Sequence, residues 1–177
     1  MLKKFLNDGS VQLEPFEDRH LDGLRAACAL DQAIWEIYPV CMIGDYFEPS
    51  FALFRSLPNW IGFAVIHDGD IVGMTHYIPV TGEQEAVEIG ATYIAPAVRG
   101  GSVNHTMKSL MIEHAFDEGY SEIQFSIDTR NKRSIAAVEK LGADLIEILA
   151  ENMTSRREID LDRGGLYCAQ GSHDGTV

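Results

Sequence analysis

Val87-Glu-Ile-Gly-Ala-Thr-Tyr-Ile-Ala-Pro-Ala-Val-Arg-Gly-Gly-Ser-Val-Asn104 contains the change of period that decides how this chain folds. Up to Ile94 the residues read as a strand that begins at Ala86. A two-residue period sets Glu88, Gly90 and Thr92 on one face and Val87, Ile89, Ala91 and Tyr93 on the other. Pro96 stops the strand, because proline has no N–H to give to the ladder. Arg99-Gly100-Gly101-Ser102 makes a turn, after which Val103, Met107, Leu110, Met111 and Ala115 trace one face of a helix ending near Gly119.

The same alternation of periods continues in both directions. Downstream, Ile123, Phe125 and Ile127 alternate with Glu122, Gln124, Ser126 and Asp128 as a strand. A helix from about Ser134 to Leu141 follows and stops at Gly142, and 145–149 and 165–169 are closing strands. Upstream, 61–66 and 71–80 form a hairpin through His67-Asp68-Gly69-Asp70, where Asp-Gly supplies the positive φ angles of a tight turn. Val11 to Glu14 is a first strand ended by Pro15, and Leu21, Leu24 and Cys28 recur at helical spacing. The segment 31–58 is aromatic-rich and broken by Pro39, Gly44 and Pro49, with a short helix near 51–56. No repeat or linker divides the chain, so residues 1–177 read as one domain of the α/β (α+β) class.

Composition narrows the function. The 177 residues are 46% hydrophobic and 23% charged, as in ordinary folded proteins. The longest apolar runs, such as 61–66, fall well short of the roughly 20 residues that span a bilayer. Lys3 and Lys4 are not followed by a signal-peptide core, so a cytoplasmic location is expected. The formal charge of −13 opposes binding to a phosphate backbone; it could draw in a cationic amine or a basic protein tail, or serve solubility alone. Cys28, Cys41 and Cys168 are odd in number and lack CxxC spacing, and the six histidines form no ligand pattern, so neither a disulfide framework nor a metal is expected.

A glycine turn between strand and helix points several backbone N–H groups at one spot with the helix dipole behind them, which suits a pyrophosphate. The spacing is neither GxGxxG nor GxxxxGK[ST], so another phosphate ligand is implied. The stretch from Val87 to Asn104, together with Arg130-Asn-Lys-Arg-Ser-Ile-Ala-Ala-Val-Glu-Lys-Leu-Gly-Ala143, resembles the GNAT superfamily of N-acetyltransferases, and within it the RimJ/RimL-like branch, over about residues 10 to 170. The resemblance implies a mixed, mostly antiparallel sheet of about seven strands flanked by helices. It also implies acetyl-CoA as co-substrate, with Arg99, Gly100, Gly101, Ser102, Val103 and Asn104 as the pyrophosphate cradle and Ile94 along pantetheine. Ser102 stands where a second signature glycine is usual.

The resemblance further implies direct attack of a neutral amine on the thioester, which requires a base, since lysine ammonium has a pKa of about 10.4 and an α-amine about 7.8. Glu88 matches the family's strand glutamate. An acid on a solvated sheet face is the ordinary alternative. Val138 stands where many relatives carry an acid tyrosine, and Ser134 is the matched replacement donor, or else a helix cap. Asn131 orders its loop or contacts the cofactor. Trp35, Tyr38 and His76 are candidate acceptor contacts, with core packing the competing reading. The implied acceptor is a primary amine, either a basic protein N-terminus or a small amine such as a polyamine, and the chain could be monomer or homodimer. The competing function is a degenerate GNAT fold that binds acyl-CoA or a partner protein without turnover.

Overall fold

The computed structural model describes residues 1–149 and 164–170, with side chains through residue 146. In chain order the elements are β1 (Leu6–Asn7), β2 (Val11–Pro15), α1 (Leu21–Ala29), α2 (Phe47–Ser56), β3 (Ile61–His67), β4 (Asp70–Pro79), β5 (Ala86–Ile94), α3 (Val103–Asp117), β6 (Glu122–Asp128), α4 (Lys132–Glu139), β7 (Asp144–Leu149) and β8 (Gly164–Gln170). They form one sheet in the order β1-β2-β3-β4-β5-β6-β8-β7. Every neighbouring pair is antiparallel except β5 and β6, which α3 connects as a parallel crossover. The mixed, mostly antiparallel sheet expected from the sequence is present, with the two-residue β1 added at its edge.

Two cores cover the two faces of the sheet. One packs Phe63, Val65, Tyr77, Val87, Ile89 and Phe125 beneath Met107, Met111 and Ala115 of α3 and Val138 of α4. The other packs Met74 and Tyr93 beneath Leu24 and Cys28 of α1 and Phe47, Phe51 and Phe54 of α2. Two buried tyrosines fasten helices to the middle of the sheet: Tyr77 donates to the Met111 carbonyl at 2.6 Å and Tyr93 to the Ala27 carbonyl at 2.7 Å. Burial pushes the Cys28 thiol up to about 12, so it behaves as an inert core group. The side chain of Cys168 lies outside the described residues.

The hairpin turn forms as its Asp-Gly predicts, with φ of 52° at Asp68 and 87° at Gly69. Two helices differ from their sequence reading. The second starts at Phe47, ahead of Pro49, because a proline in the first turn forfeits no intrahelical N–H bond. The fourth starts at Lys132 because Asn131 is its cap, accepting a hydrogen bond from the Ser134 N–H at 3.1 Å.

The third difference bears on the site. The strict alternation expected along β5 fails at Ala91: Val87 and Ile89 pack with the α3 core, whereas Tyr93 packs with the α1–α2 core. His76 pairs with Gly90 and Met74 with Tyr93, so two β5 residues, Ala91 and Thr92, oppose Thr75 alone. That is a β-bulge, with Ala91 at φ 46°. Thr92 is turned away from the Glu88 face, and its hydroxyl meets that of Thr75 at 2.9 Å. A left-handed backbone costs an L-residue about 1–2 kcal/mol, so Ala91→Gly is expected to raise the free energy of urea unfolding by ~1 kcal/mol. A decrease would show that the bulge is not strained.

Candidate active site

Strands β5 and β6 run side by side for only three pairs, Ala86 with Glu122, Val87 with Ile123 and Glu88 with Gln124. Beyond Glu88 they part. β5 stays paired to β4 as far as Ile94, and β6 turns its pairing to β8 as far as Asp128. Among the described residues the edge of β5 that faced β6 has no strand partner from Ile89 onward, which leaves a slot suited to an extended chain.

Glu88 sits at the apex of this opening. Burial pushes its carboxyl above the ordinary value, while the hydroxyl and backbone of Ser126 and the charge of Lys108 pull in the opposite direction. The sequence reading overlooked Lys108. It lies on α3 with a residual exposure of 6%, its ammonium 4.8 Å from the centre of the Phe125 ring. Phe125 stands between Gln124 and Ser126, the two β6 positions that flank Glu88, so the cation reaches the apex from the α3 side. Burial brings the Lys108 ammonium down to about 8, and the attraction of Glu88 limits the fall. Helical spacing carried a signal for it: Lys108 precedes Met111 and Ala115 by three and seven residues, on their buried stripe.

At the other end of the opening, Gly100 has φ 76°, which favours glycine, and the chain enters α3 through Ser102 at φ −74° and ψ −22°. Position 102 thus needs no left-handed backbone, and serine fits where the family pattern has glycine. Among the described residues no acceptor takes the N–H groups of Gly100, Gly101, Ser102, Val103, Asn104 or His105. Six donors at the N-terminus of a 15-residue helix form a cradle of positive potential. The Arg99 side chain turns away from it. Its Nε donates to the Ile94 carbonyl at 2.7 Å, its Nη1 pairs with Asp31, and its guanidinium stands 5.6 Å from the Tyr93 ring centre. That guanidinium holds the Asp31 carboxyl below its ordinary value.

The remaining predicted residues divide between core and site. Trp35 is buried, stacked on Tyr93 at 4.9 Å, with its indole N–H given to the Cys28 carbonyl. Tyr38 donates to the Thr92 carbonyl on the bulge at 2.5 Å. Ser134 gives its N–H to Asn131, and among the described residues its hydroxyl has no hydrogen-bond partner. His76 is buried among Phe54 and Trp60; burial takes its imidazole down to about 4, against a weaker upward pull from the Ala91 backbone.

A mixed sheet whose central parallel pair parts over a helix N-terminus is shared with known proteins. The profile of the acetyltransferase (GNAT) domain matches residues 10–144, and the chain belongs to that family. Among curated relatives it is 28% identical over 93 residues to an uncharacterized N-acetyltransferase, YjgM, of Escherichia coli, a stretch covering 52% of this chain and 56% of that protein. It is 26% identical over 80 residues to the mycothiol acetyltransferase of Streptomyces coelicolor, covering 45% of this chain and 26% of that protein. The matches thus span about half and about a quarter of those proteins' lengths. Among solved structures, a probable GNAT-family acetyltransferase from Chromobacterium violaceum superposes with a TM-score of 0.82 at 24% identity, over 95% of this chain and 86% of that one. RimJ of Mycobacterium smegmatis, in complex with CoA-disulfide, superposes with a TM-score of 0.79 at 17% identity, over 98% and 90%. These structural likenesses are of fold.

The lowered Lys108 means the unfolded chain binds more protons than the folded one between about pH 8 and the lysine value of 10.5, so its contribution to stability rises with pH across that window. Below about pH 8 the burial penalty is present in full. Replacing the coupled pair together, Lys108→Met with Glu88→Gln, is therefore expected to raise the unfolding free energy by about 1–4 kcal/mol at pH 7, with the gain shrinking towards pH 10. Urea melts at the two pH values check this, and a destabilised variant at pH 7 would contradict it.

Proposed function

We propose that this chain transfers an acetyl group from acetyl-CoA to a primary amine, in the manner of the RimJ/RimL-like branch, with Glu88 as general base. The observation that carries this reading is the position of Glu88, a half-buried carboxyl of raised proton affinity at the point where β5 and β6 part. The free N–H groups of 100–105 suit a pyrophosphate, and the unpartnered edge of β5 suits an extended amide-bearing arm, so the residues present fit coenzyme A. Acetyl-CoA supplies the thioester. Glu88 takes a proton from the acceptor ammonium, directly or through water, and the neutral amine then attacks: the N–C bond forms, the C–S bond breaks, and of the two protons the amine loses one stays with the base and the other matches the proton delivered to the thiolate. The Ser134 hydroxyl is the donor assigned to the leaving thiolate, and Asn131 sets its place by capping α4. Metal ions have no part in this scheme.

The binding-module reading draws on Val138, which is fully buried in the α3 core where many relatives place an acid tyrosine. Thiol release from acetyl-CoA across primary amines and N-terminal peptides separates the two, and traces that never exceed the no-acceptor rate would favour the module. Because the base must be ionised, kcat/KM should fall as pH drops through a point above the ordinary carboxyl value of 4.5. Glu88→Gln is expected to lower kcat by about 10²-fold and remove that limb while leaving CoA affinity unchanged. Unaltered turnover would remove Glu88 from the role. Gly100→Asp places a carboxylate and an unfavourable left-handed residue in the cradle, and calorimetry should show weaker CoA binding by about tenfold or more. Equal affinity would place the pyrophosphate elsewhere.

A further inference from the structure

Lys108 stands on the buried stripe of α3, and acetyl transfer through Glu88 makes no direct use of it. A buried ammonium is costly unless it is paired. Yet among the described residues no carboxylate comes within ion-pair distance of Lys108. One helical turn away on α3 are Asn104, His105, Met111 and Ile112, of which only the exposed His105 can carry charge. The ammonium lies instead against the Phe125 ring, 4.8 Å from its centre.

Phe125 fixes where that charge acts. Its ring belongs to the α3 core, together with Val87 and Ile89 of β5. Glu88 lies between those two and therefore on the opposite face of the sheet. There its carboxyl folds over Gly90, where a Cβ would stand 2.7 Å from Glu88 Oε1. Across the ladder Glu88 pairs with Gln124, and Ser126 acts on its carboxyl, so anion and cation flank the same three residues of β6 from opposite faces. Among the described residues Lys108 is the one charge that acts on this carboxyl. From β4 come Ile78, opposite Glu88, and His76, opposite Gly90, whose imidazole is neutral at pH 7. On β6 the Glu122 carboxylate accepts from Gln124 Nε2 at 2.6 Å.

This placement separates two effects that a direct ion pair would join. An ammonium bound to Glu88 would favour the carboxylate but occupy the oxygens an acceptor must reach; one behind Phe125 favours the carboxylate and leaves the oxygens free. Lys108 keeps its proton below about pH 8, the range in which burial would return a proton to Glu88. We infer that Lys108 is a positioning residue for Glu88: from the far face of the sheet its charge holds the carboxyl in the ionised form that can accept a proton, without contact with the acceptor. The inference rests on the acetyl-transfer reading for the use made of the base, but on the placement of Lys108 for its ionisation.

Titration of the full chain without acetyl-CoA isolates ionisation from chemistry. By carboxyl-carbon NMR of labelled glutamate, the Glu88 midpoint should move to higher pH in Lys108→Met and stay near the wild-type position in Lys108→Arg, which retains the charge. In Glu88→Gln, which retains the shape, NMR of labelled lysine should show the Lys108 midpoint falling below about 8. In thiol-release assays with a primary amine, the ratio of kcat/KM at about pH 8 to that at about pH 6 should rise by about tenfold in Lys108→Met and return in Lys108→Arg. Lost packing alone would lower kcat/KM equally at both pH values. Should Lys108→Met fail to fold, the Lys108 midpoint in Glu88→Gln decides alone. Midpoints that ignore the partner's replacement, or an unmoved pH ratio, overturn the inference. Coupled midpoints with no transfer to any amine uphold the pairing and defeat the acetyl-transfer reading instead.

Discussion

Two parallel strands that pair for three residues and then separate impose the constraint on which this molecule turns. Backbone groups released from a ladder need other partners, and here the need is met in part by side chains. Tyr38 serves the Thr92 carbonyl and Arg99 serves the Ile94 carbonyl, while the rest of that edge of β5 faces the opening. The bulge at Ala91 belongs to the same arrangement. It inserts one residue into β5 and reverses which core its later side chains enter. Both aromatic anchors of the α1 side, Tyr93 and the Trp35 stacked upon it, owe their burial to that reversal.

The apex where the strands separate holds a carboxyl and an ammonium that both oppose burial. Each moves towards its neutral form and each is drawn back by the other, so Glu88 and Lys108 titrate nearer to neutrality than either would in water. A leucine or methionine at position 108, together with a neutral residue at 88, would complete the α3 stripe at lower free energy. Retaining a cation there makes sense if the field at Glu88 matters more than the packing, which is the pattern expected where stability is given up for chemistry.

Much of this was legible in the sequence because the signals were local. The Asp-Gly turn, the glycine turn before α3 and the alternation of β6 depend on residues within a few positions of one another, and these three lie where they were read. What was missed depends on tertiary context. A bulge is a mismatch of register between two strands, and nothing in Gly-Ala-Thr-Tyr names the partner residue that is left opposite two. Pro49 read as a breaker because its place in a first turn depends on where the helix begins. Lys108 is a different case: its charge sets it apart from an apolar face, although its spacing to Met111 and Ala115 puts it on their buried stripe.

Ser102 shows how a family pattern can be satisfied by other chemistry. A signature glycine at that place is open to two explanations, a need for left-handed backbone or a need for close approach by a ligand. The backbone at Ser102 is right-handed, and the left-handed residue is Gly100 two positions earlier. The first explanation therefore does not hold for this chain. Close approach is left, and on the proposed coenzyme A reading a serine would bring the same N–H as glycine together with a hydroxyl that could donate to the same anion. The departure from the pattern exchanges some space above the turn for one more donor in the cradle, and it leaves the path of the chain into α3 unchanged.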